Sequence, residues 1–398
     1  MNTLKTSIFY FIPRQGSTLP EQLNDCLFQL EEQITLKNLG KKNTLKQTFF
    51  LKVSHQDEYD KMVDVLEEQI QQFYGAFLPA TSVIAQAPEN GKYLAMEVYI
   101  LDDLLQATEV VHKSLENVPY SVVQHPDFKE VYAAGLTAMH QDNFYEKAMG
   151  AFMLMEKILD FEDLAFSDVV RQWNYIENIT KIIKEGSERQ HYQIFNDVRS
   201  FFYRKNEFVN GYPSATGIGM DTGGVVIDFI AVSPSQKLTI KPIKNPGQID
   251  AFEYSEKVLA GKSLNGSSRK TSPKFERGKV LHTLGATRIY ISGTAAILGE
   301  NIVGKRNLEK QTLVTIENIK NLISAENLRE TGLKNLNPEK KSFLYIRTYV
   351  KHQKDISAVK AICEKQFKSE NFQYLVSDIC REDLMVEIEG SLELRIEI

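Results

Sequence analysis

Residues 47–100, QTFFLKVSHQDEYDKMVDVLEEQIQQFYGAFLPATSVIAQAPENGKYLAMEVYI, carry the pattern that decides the fold. Phe49, Leu51 and Val53 alternate as in a half-buried strand. Met62, Val65, Leu66 and Ile70 recur at three-four spacing, which predicts an amphipathic helix. Two further strands flank the polar turn PENG. The same order returns twice. Residues 169–232 hold VVRQWNYIENI, YQIFNDVRSFFY and YPSATGIGMDTGGVVIDFIAV; residues 343–390 hold FLYIRTYVKHQKDISAVKAICEKQF and FQYLVSDICREDLMVEIEG. Their first strands carry Val170, Trp173 and Tyr175, then Leu344, Ile346 and Tyr349, and their turns are DTGG and REDL. Self-similarity inside one chain marks a repeat architecture.

Upstream of each segment lies another amphipathic helix, over 19–39, 143–159 and 307–323, preceded by the candidate strands TSIFYFIP (6–13), EVYAAGLTAM (130–139) and TRIYISGTAAIL (287–298). Each unit therefore reads β-(β)-α-β-α-β-β, an α+β pattern, and the chain divides into repeats at 1–118, 119–260 and 261–398. The two helices of a unit cover one face of its sheet. The other face, expected to include Val98, Ile227 and Ile388, needs a different cover. Three copies can cover one another, which predicts a three-lobed, barrel-like core with clefts at the seams, where small ligands usually bind. Residues 101–128 read as an amphipathic connector. Residues 233–285, with GKSLNGSSRKTSP at 261–273, read as a plain linker or a mobile lid.

Bulk properties exclude several classes. The 398 residues suffice for two or three domains, with 42% hydrophobic and 25% charged residues. No run of eighteen apolar residues predicts a membrane span, and the N-terminus reads as a first strand rather than a signal peptide. A net charge of −5, with only a mild Lys/Arg cluster at 261–279, argues against nucleic acid. Cys26, Cys363 and Cys380 are scattered without a CxxC pair, which points to a reducing compartment, the cytoplasm, and away from a disulfide framework or a zinc site. The seven histidines show no HxxxH or HxH spacing, and no GxGxxG after a strand, Walker loop or G-x-S-x-G elbow occurs. No metal or cofactor is expected.

The β-β-α-β-α-β-β unit ending in Val386-Glu387-Ile388-Glu389-Gly390 resembles the YjgF/RidA superfamily, whose members are usually trimers of one such unit with sites at subunit seams. Here the trimer looks fused, which implies a pseudo-trimeric core in a monomer. A narrower resemblance, over roughly 120–390, is to the chorismatases. It rests on Val170-Arg171-Gln172-Trp173-Asn174-Tyr175, Tyr192-Gln193-Ile194-Phe195-Asn196 with Arg199, Tyr212-Pro213-Ser214-Ala215-Thr216-Gly217-Ile218-Gly219, Ile291-Ser292-Gly293-Thr294-Ala295-Ala296, Gln311 with Glu317-Asn318, and Asp378-Ile379-Cys380-Arg381. The resemblance implies a chorismate-converting enzyme that releases pyruvate and a dihydroxycyclohexadiene-carboxylate or a hydroxybenzoate, with no cofactor. Two departures stand out. The family's S-G-T-A strand end leads to an acid one position later than here, where Gly299-Glu300-Asn301 follows. The P-x-R-T turn of the imine deaminases is replaced by Pro213-Ser214-Ala215-Thr216, without Arg. The alternatives are a catalytically altered homologue that binds an aromatic or cyclic carboxylate, and a RidA-like imine deaminase.

Chorismate, or a similar dicarboxylate, needs guanidinium groups for its carboxylates and an acid, its pKa raised by burial, to protonate the enol-ether methylene. Glu300, after an apolar strand, is the candidate acid, or else a solvated strand-end residue. Arg199, among aromatics and three residues from Asn196 on one helix face, either holds a carboxylate or forms an internal ion pair. Arg347, on one strand face with Tyr345 and Tyr349, and Arg171 are further carboxylate contacts or structural pairs. Arg381 contacts substrate or is a surface turn cation. Tyr212 and Gly219 follow from the resemblance: the Gly217-Ile218-Gly219 run either aims backbone N–H groups at a ligand oxygen or eases a bend. Thr294 either lies beside the ligand or is an ordinary strand threonine.

Overall fold

The computed structural model describes residues 6–89, 91–102, 108–183, 188–262, 270–283, 286–333, 336–367, 369 and 371–396. Three sheets carry the chain, and none closes on itself. The first unit runs β1 (Thr6–Phe11), α1 (Leu19–Leu36), β2 (Thr44–Leu51), α2 (Gln56–Tyr74), β3 (Ala80–Ile84) and β4 (Leu94–Leu101), in sheet order β1-β4-β2-β3. The second runs β5 (Glu109–Leu115), β6 (Val118–Gln124), β7 (Lys129–Thr137), α3 (Phe144–Phe161), β8 (Val169–Glu177), a small ribbon of β9 (Ile182–Ile183) and β10 (Arg189–Gln190), α4 (His191–Tyr203), β11 (Ser214–Met220) and β12 (Val225–Val232), in order β11-β8-β12-β7-β6-β5. The third runs β13 (Thr239–Ile243), β14 (Gly278–His282), β15 (Thr287–Ala295), a ribbon of β16 (Ile297–Leu298) and β17 (Asn301–Ile302), α5 (Leu308–Leu322), α6 (Ala325–Arg329), β18 (Leu336–Val350), α7 (Ile356–Gln366), β19 (Phe372–Val376) and β20 (Val386–Ile396), in order β13-β14-β15-β20-β18-β19.

The repeated order has a local cause. Each unit contains a βαβ crossover, with β2/β3, β8/β11 and β18/β19 parallel, because a helix must carry the chain back before a parallel partner can pair. Caps set the helix starts. Thr18 and Glu21 form a capping box at α1, with Pro20 in its first turn. Asn143 and Asn307 cap α3 and α5.

Three expectations change. The stretch 101–128 is not a connector outside the repeats: 109–124 form the β5–β6 hairpin, which joins the second sheet. The divisions at 118/119 and 260/261 therefore cut structure, since β5 belongs to the second sheet and β13 to the third. Ile227 and Ile388 do not face the centre; they pack under their own helices, with Phe152 and Phe195 in the second unit and Ile316 and Val359 in the third. Alternation then turns their neighbours inward. Of the proposed linker or lid, 239–243 is strand, 251–253 and 256–258 are 3-10 turns, and 263–269 lie outside the described residues, as does Asn90 of the PENG turn.

The inward faces meet in one cluster. Tyr99, Trp173 and Tyr345, one from each sheet, touch edge to face with Tyr99 between the other two. β3 packs on β7, β11 on β15, and β1 on β18. At each of these seams a buried cation on one sheet meets a carboxylate on the next: Lys46–Asp228 (2.8 Å), Arg171–Glu389 (2.7 Å) and Arg347–Glu97. The three acids share one register position. Glu97 pairs with Thr48, Asp228 with Trp173 and Glu389 with Arg347 across their last strands. All six side chains are fully buried, so each charge depends on its partner.

Candidate functional site

A cavity of about 460 Å³ opens at the seam between the second and third sheets. Its walls come from β11 (Ala215, Gly217), β15 (Gly293, Ala295), α4 (Gln193, Asn196) and the 254–260 segment. Glu387 of β20 lines it. Two residues before Glu389, it shares that strand face but has no cation bonded to it among the described residues. Burial, then the neighbouring Glu389 carboxylate, pushes its pKa up to about 8, against the pull of Arg171 and Arg277. At neutral pH Glu387 is therefore a protonated acid. Gly293 gives it room: a Cβ there would sit 2.0 Å from Glu387 Oε1.

Two guanidiniums share the cavity. Arg277 donates to Tyr254 Oη (2.6 Å) and the Ile249 carbonyl (2.5 Å), and its Nε is buried without a partner. Arg381 donates to the Glu300 carbonyl (2.8 Å) and stacks over Tyr254. Neither pairs with a carboxylate among the described residues. The Cys380 thiol is also in the wall, and burial, then Glu387, pushes it up to about 12, so it stays protonated.

Of the residues singled out from sequence, the structure brings Glu300, Arg381, Gly217 and Asn196 to this cavity and puts Arg171, Arg199, Arg347, Tyr212, Gly219 and Thr294 outside its lining. Glu300 lies at its rim, half-buried; its carboxylate accepts from Ser255 N–H (2.8 Å) and Oγ–H (2.7 Å), and these bonds hold its pKa below the usual value. It ties down the 251–258 segment instead of being a raised-pKa acid. Arg171 and Arg347 belong to the buried ion pairs: Arg171 also donates to Thr216, and Arg347 to Glu389, Tyr175 and Gln373. Gly219 packs against the third sheet, its N–H on the Asp378 carbonyl (2.8 Å), and Thr294 Oγ1 bonds the Ser292 carbonyl (2.9 Å). Tyr212 stacks near Tyr203 and Phe252 in a different cavity. Arg199 is buried behind the wall, bonded to Asn196, with no carboxylate partner among the described residues. Sequence reasoning missed Glu387, Arg277 and Cys380 as site residues. Glu387 stood in plain view within VEIEG, and two acids on one face of an apolar strand were the available signal.

The model of the chorismatase FkbO/Hyg5-like N-terminal domain matches residues 106–231. A 3-hydroxybenzoate synthase of Streptomyces hygroscopicus is 30% identical over 252 residues, covering 62% of this chain and 69% of that protein. The chain belongs to the chorismatase family. A chorismatase of Streptomyces rapamycinicus is 30% identical over 237 residues, 57% of this chain and 64% of that protein. A chorismatase crystal structure superposes with a TM-score of 0.64 at 20% identity, covering 98% of this chain and 99% of that one, so the fold likeness extends through the N-terminal unit. No helix among the described residues is long and apolar enough to cross a membrane.

Proposed function

We propose that this chorismatase-family protein cleaves the enolpyruvyl ether of chorismate at the cavity between the second and third sheets, with Glu387 as the acid. The carrying observation is a carboxyl held protonated at neutral pH in a wall that also presents two guanidiniums unpaired with any described carboxylate. Arg277 and Arg381 hold the substrate carboxylates. Glu387 gives its proton to the enol-ether methylene carbon, leaving cationic character at the ether carbon. Water adds there and returns one proton to Glu387; the hemiketal hydroxyl then gives its remaining proton to the ring oxygen as the bond between that oxygen and the hemiketal carbon breaks, and pyruvate leaves with the alcohol on the ring. Gly293 allows the acid to approach the ligand, and the 254–260 segment, tied by Glu300, shields the cation from bulk water.

Two features inferred with this reading complete it. The three inward faces, their matched ion pairs and their seams support a pseudo-trimeric, barrel-like core within one chain, acting as a monomer. Three free cysteines support a reducing compartment, the cytoplasm. The altered-homologue reading drew on the Glu300-Asn301 departure; with Glu387 as the acid, that departure no longer bears on activity.

The test is to incubate the purified protein with chorismate and assay pyruvate. Turnover is expected, and Glu387→Gln should lower kcat by about 10²–10⁴-fold, the usual worth of a general acid. Absence of pyruvate from the unaltered protein overturns the reading; an unaffected Glu387→Gln variant overturns the assignment of the acid.

A further inference from the structure

A second cavity, about 740 Å³, lies on the other side of the strand-like segment 271–277 from the reaction cavity. From Ser272 onward alternation divides that segment between the two: Pro273, Phe275 and Arg277 line the reaction cavity, while Ser272, Lys274 and Glu276 line the second, as does Thr271 before them. Helix α4 divides likewise, with Gln193 and Asn196 on one side and Ser200, Tyr203 and Arg204 on the other. The segment is fixed in place, with Gln193 Nε2 on the Thr271 carbonyl (2.9 Å) and Glu276 N–H on the Pro213 carbonyl (3.1 Å).

Arg204, Lys270 and Lys274 line this second cavity, and none of the three forms an ion pair among the described residues. Lys270 Nζ donates to the Leu259 carbonyl (2.7 Å) and Lys274 Nζ to Ser272 Oγ (3.3 Å). Burial, then Arg199 and Arg204, holds the Lys274 ammonium below its usual pKa. Cations crowded without a counter-charge are a cost that a bound anion relieves. The acid in the wall, Glu276, turns Oε1 to the Tyr212 N–H (3.0 Å), and burial raises its pKa. Ser200, 5% exposed, lines the cavity with an Oγ that is buried and without a hydrogen-bond partner, an orphan that ordinarily has a partner in the occupied state. The apolar part of the wall is aromatic, with Tyr212 and Phe252 rings 5.3 Å apart and Tyr203 stacked on Tyr212.

We propose that this cavity is a second ligand site, separate from the reaction cavity, that takes an aromatic carboxylate. The cations receive the carboxylate, the Ser200 hydroxyl donates to the ligand, and the rings of Tyr212 and Phe252 pack on its face.

The experiment is calorimetric titration of the full-length protein with benzoate at low ionic strength, which needs no turnover and so stands or falls apart from the proposed reaction. Two sites are expected in the unaltered protein. Arg204→Ala/Lys274→Ala should weaken one of them by tenfold or more and leave pyruvate formation from chorismate unchanged, while Arg277→Ala weakens the other. A single Lys270→Glu substitution gives the same readout if the double variant does not fold. One site that survives Arg204→Ala/Lys274→Ala and is lost in Arg277→Ala overturns the proposal. So does displacement of benzoate from the second site by equimolar inorganic phosphate, which would make it a site for any anion.

Discussion

The seam between the second and third sheets and the seam between the first and second are built from the same parts and end in different chemistry. Both have a buried cation opposite a carboxylate, Arg171–Glu389 and Lys46–Asp228, and both have a hydroxyl bonded to that carboxylate, from Thr216 and from Ser82. Both place a glycine on the facing strand, Gly293 and Gly135, at matching register. Both open a cavity, about 460 Å³ at one and 550 Å³ at the other. The position that is Glu387 in one is Val226 in the other: Glu387 pairs with Tyr349 as Val226 does with Tyr175. Among the described residues, no arginine or lysine lines the second seam's cavity. At the third seam the glycine position is Tyr10 and the acid position Ala95, by the pairings Phe11↔Met96 and Phe50↔Ala95. The ion pairs therefore belong to the scaffold, and the proposed reaction rests on a few residues grafted onto one of three similar seams.

The strongest way to break that distinction is to move the acid. Glu387→Val, which copies the other seam, should abolish pyruvate formation, while Val226→Gln should leave it unchanged; equal losses would mean the seams are not distinct in function. The pH profile sharpens the same point. A donor with a pKa of about 8 is protonated at pH 7 and loses its proton above pH 8, so kcat should fall on the alkaline side. The stability linkage has the same origin. The folded-state pKa lies above the unfolded value of roughly 4.3, so the stabilising effect of the neutral acid is fully present below that value and lost as pH rises through about 8. Glu387→Gln removes that loss. Its Tm relative to the unaltered protein should be higher at pH 9 than at pH 5.

The scaffold half of the comparison is tested by breaking the pairs. Glu389 accepts from Arg171, Arg347, Trp173 and Thr216; Asp228 accepts from Lys46, Ser82 and the Gly135 N–H. Glu389→Gln and Asp228→Asn each strand a buried cation and should each cost about 3–5 kcal/mol in urea denaturation, the former at the upper end because two guanidiniums lose a partner. Gly135→Ala adds a second contrast. Gly135 sits at φ +73° with the Thr81 carbonyl oxygen 2.3 Å from an added Cβ, so alanine there should destabilise without touching turnover. Gly293→Ala should lower kcat, because its Cβ meets the Glu387 carboxyl.

How much of this was legible follows from how local each signal is. The unit order could be read because alternation, three-four spacing and caps lie within a few residues, and the β5–β6 hairpin was misread because its polar and apolar residues fit either period. Arg171 and Arg347 stood out as strand arginines, but their partners sit 218 residues away at Glu389 and on another sheet at Glu97. Without those partners on the page, a core arginine and a substrate-holding arginine look alike. Glu387 and Glu389 were both visible as strand acids, and only the three-dimensional distribution of cations pairs Glu389 with two guanidiniums and leaves Glu387 without a bonded one among the described residues.

The smallest expected effect concerns two carboxyls of one cavity, Glu387 and Glu300. Burial drives the first up, and hydrogen bonds from Ser255 drive the second down. Glu300 is thus held toward its ionised form, the opposite of what a proton donor needs. Its two oxygens instead accept from the N–H and Oγ–H of Ser255, which fixes the 254–258 segment against the cavity rim while Arg381 donates to the Glu300 carbonyl. Gln keeps one acceptor oxygen and loses the charge, so Glu300→Gln should raise KM for chorismate a few-fold, lower kcat little, and leave the alkaline limb of the pH profile in place. Glu300→Ala removes both bonds and should speed backbone amide exchange at Ser255. If Glu300→Gln instead lost the alkaline limb with kcat, Glu300 would be the titrating donor and the assignment to Glu387 would fall, because only the residue that gives the proton can carry its pKa into the rate.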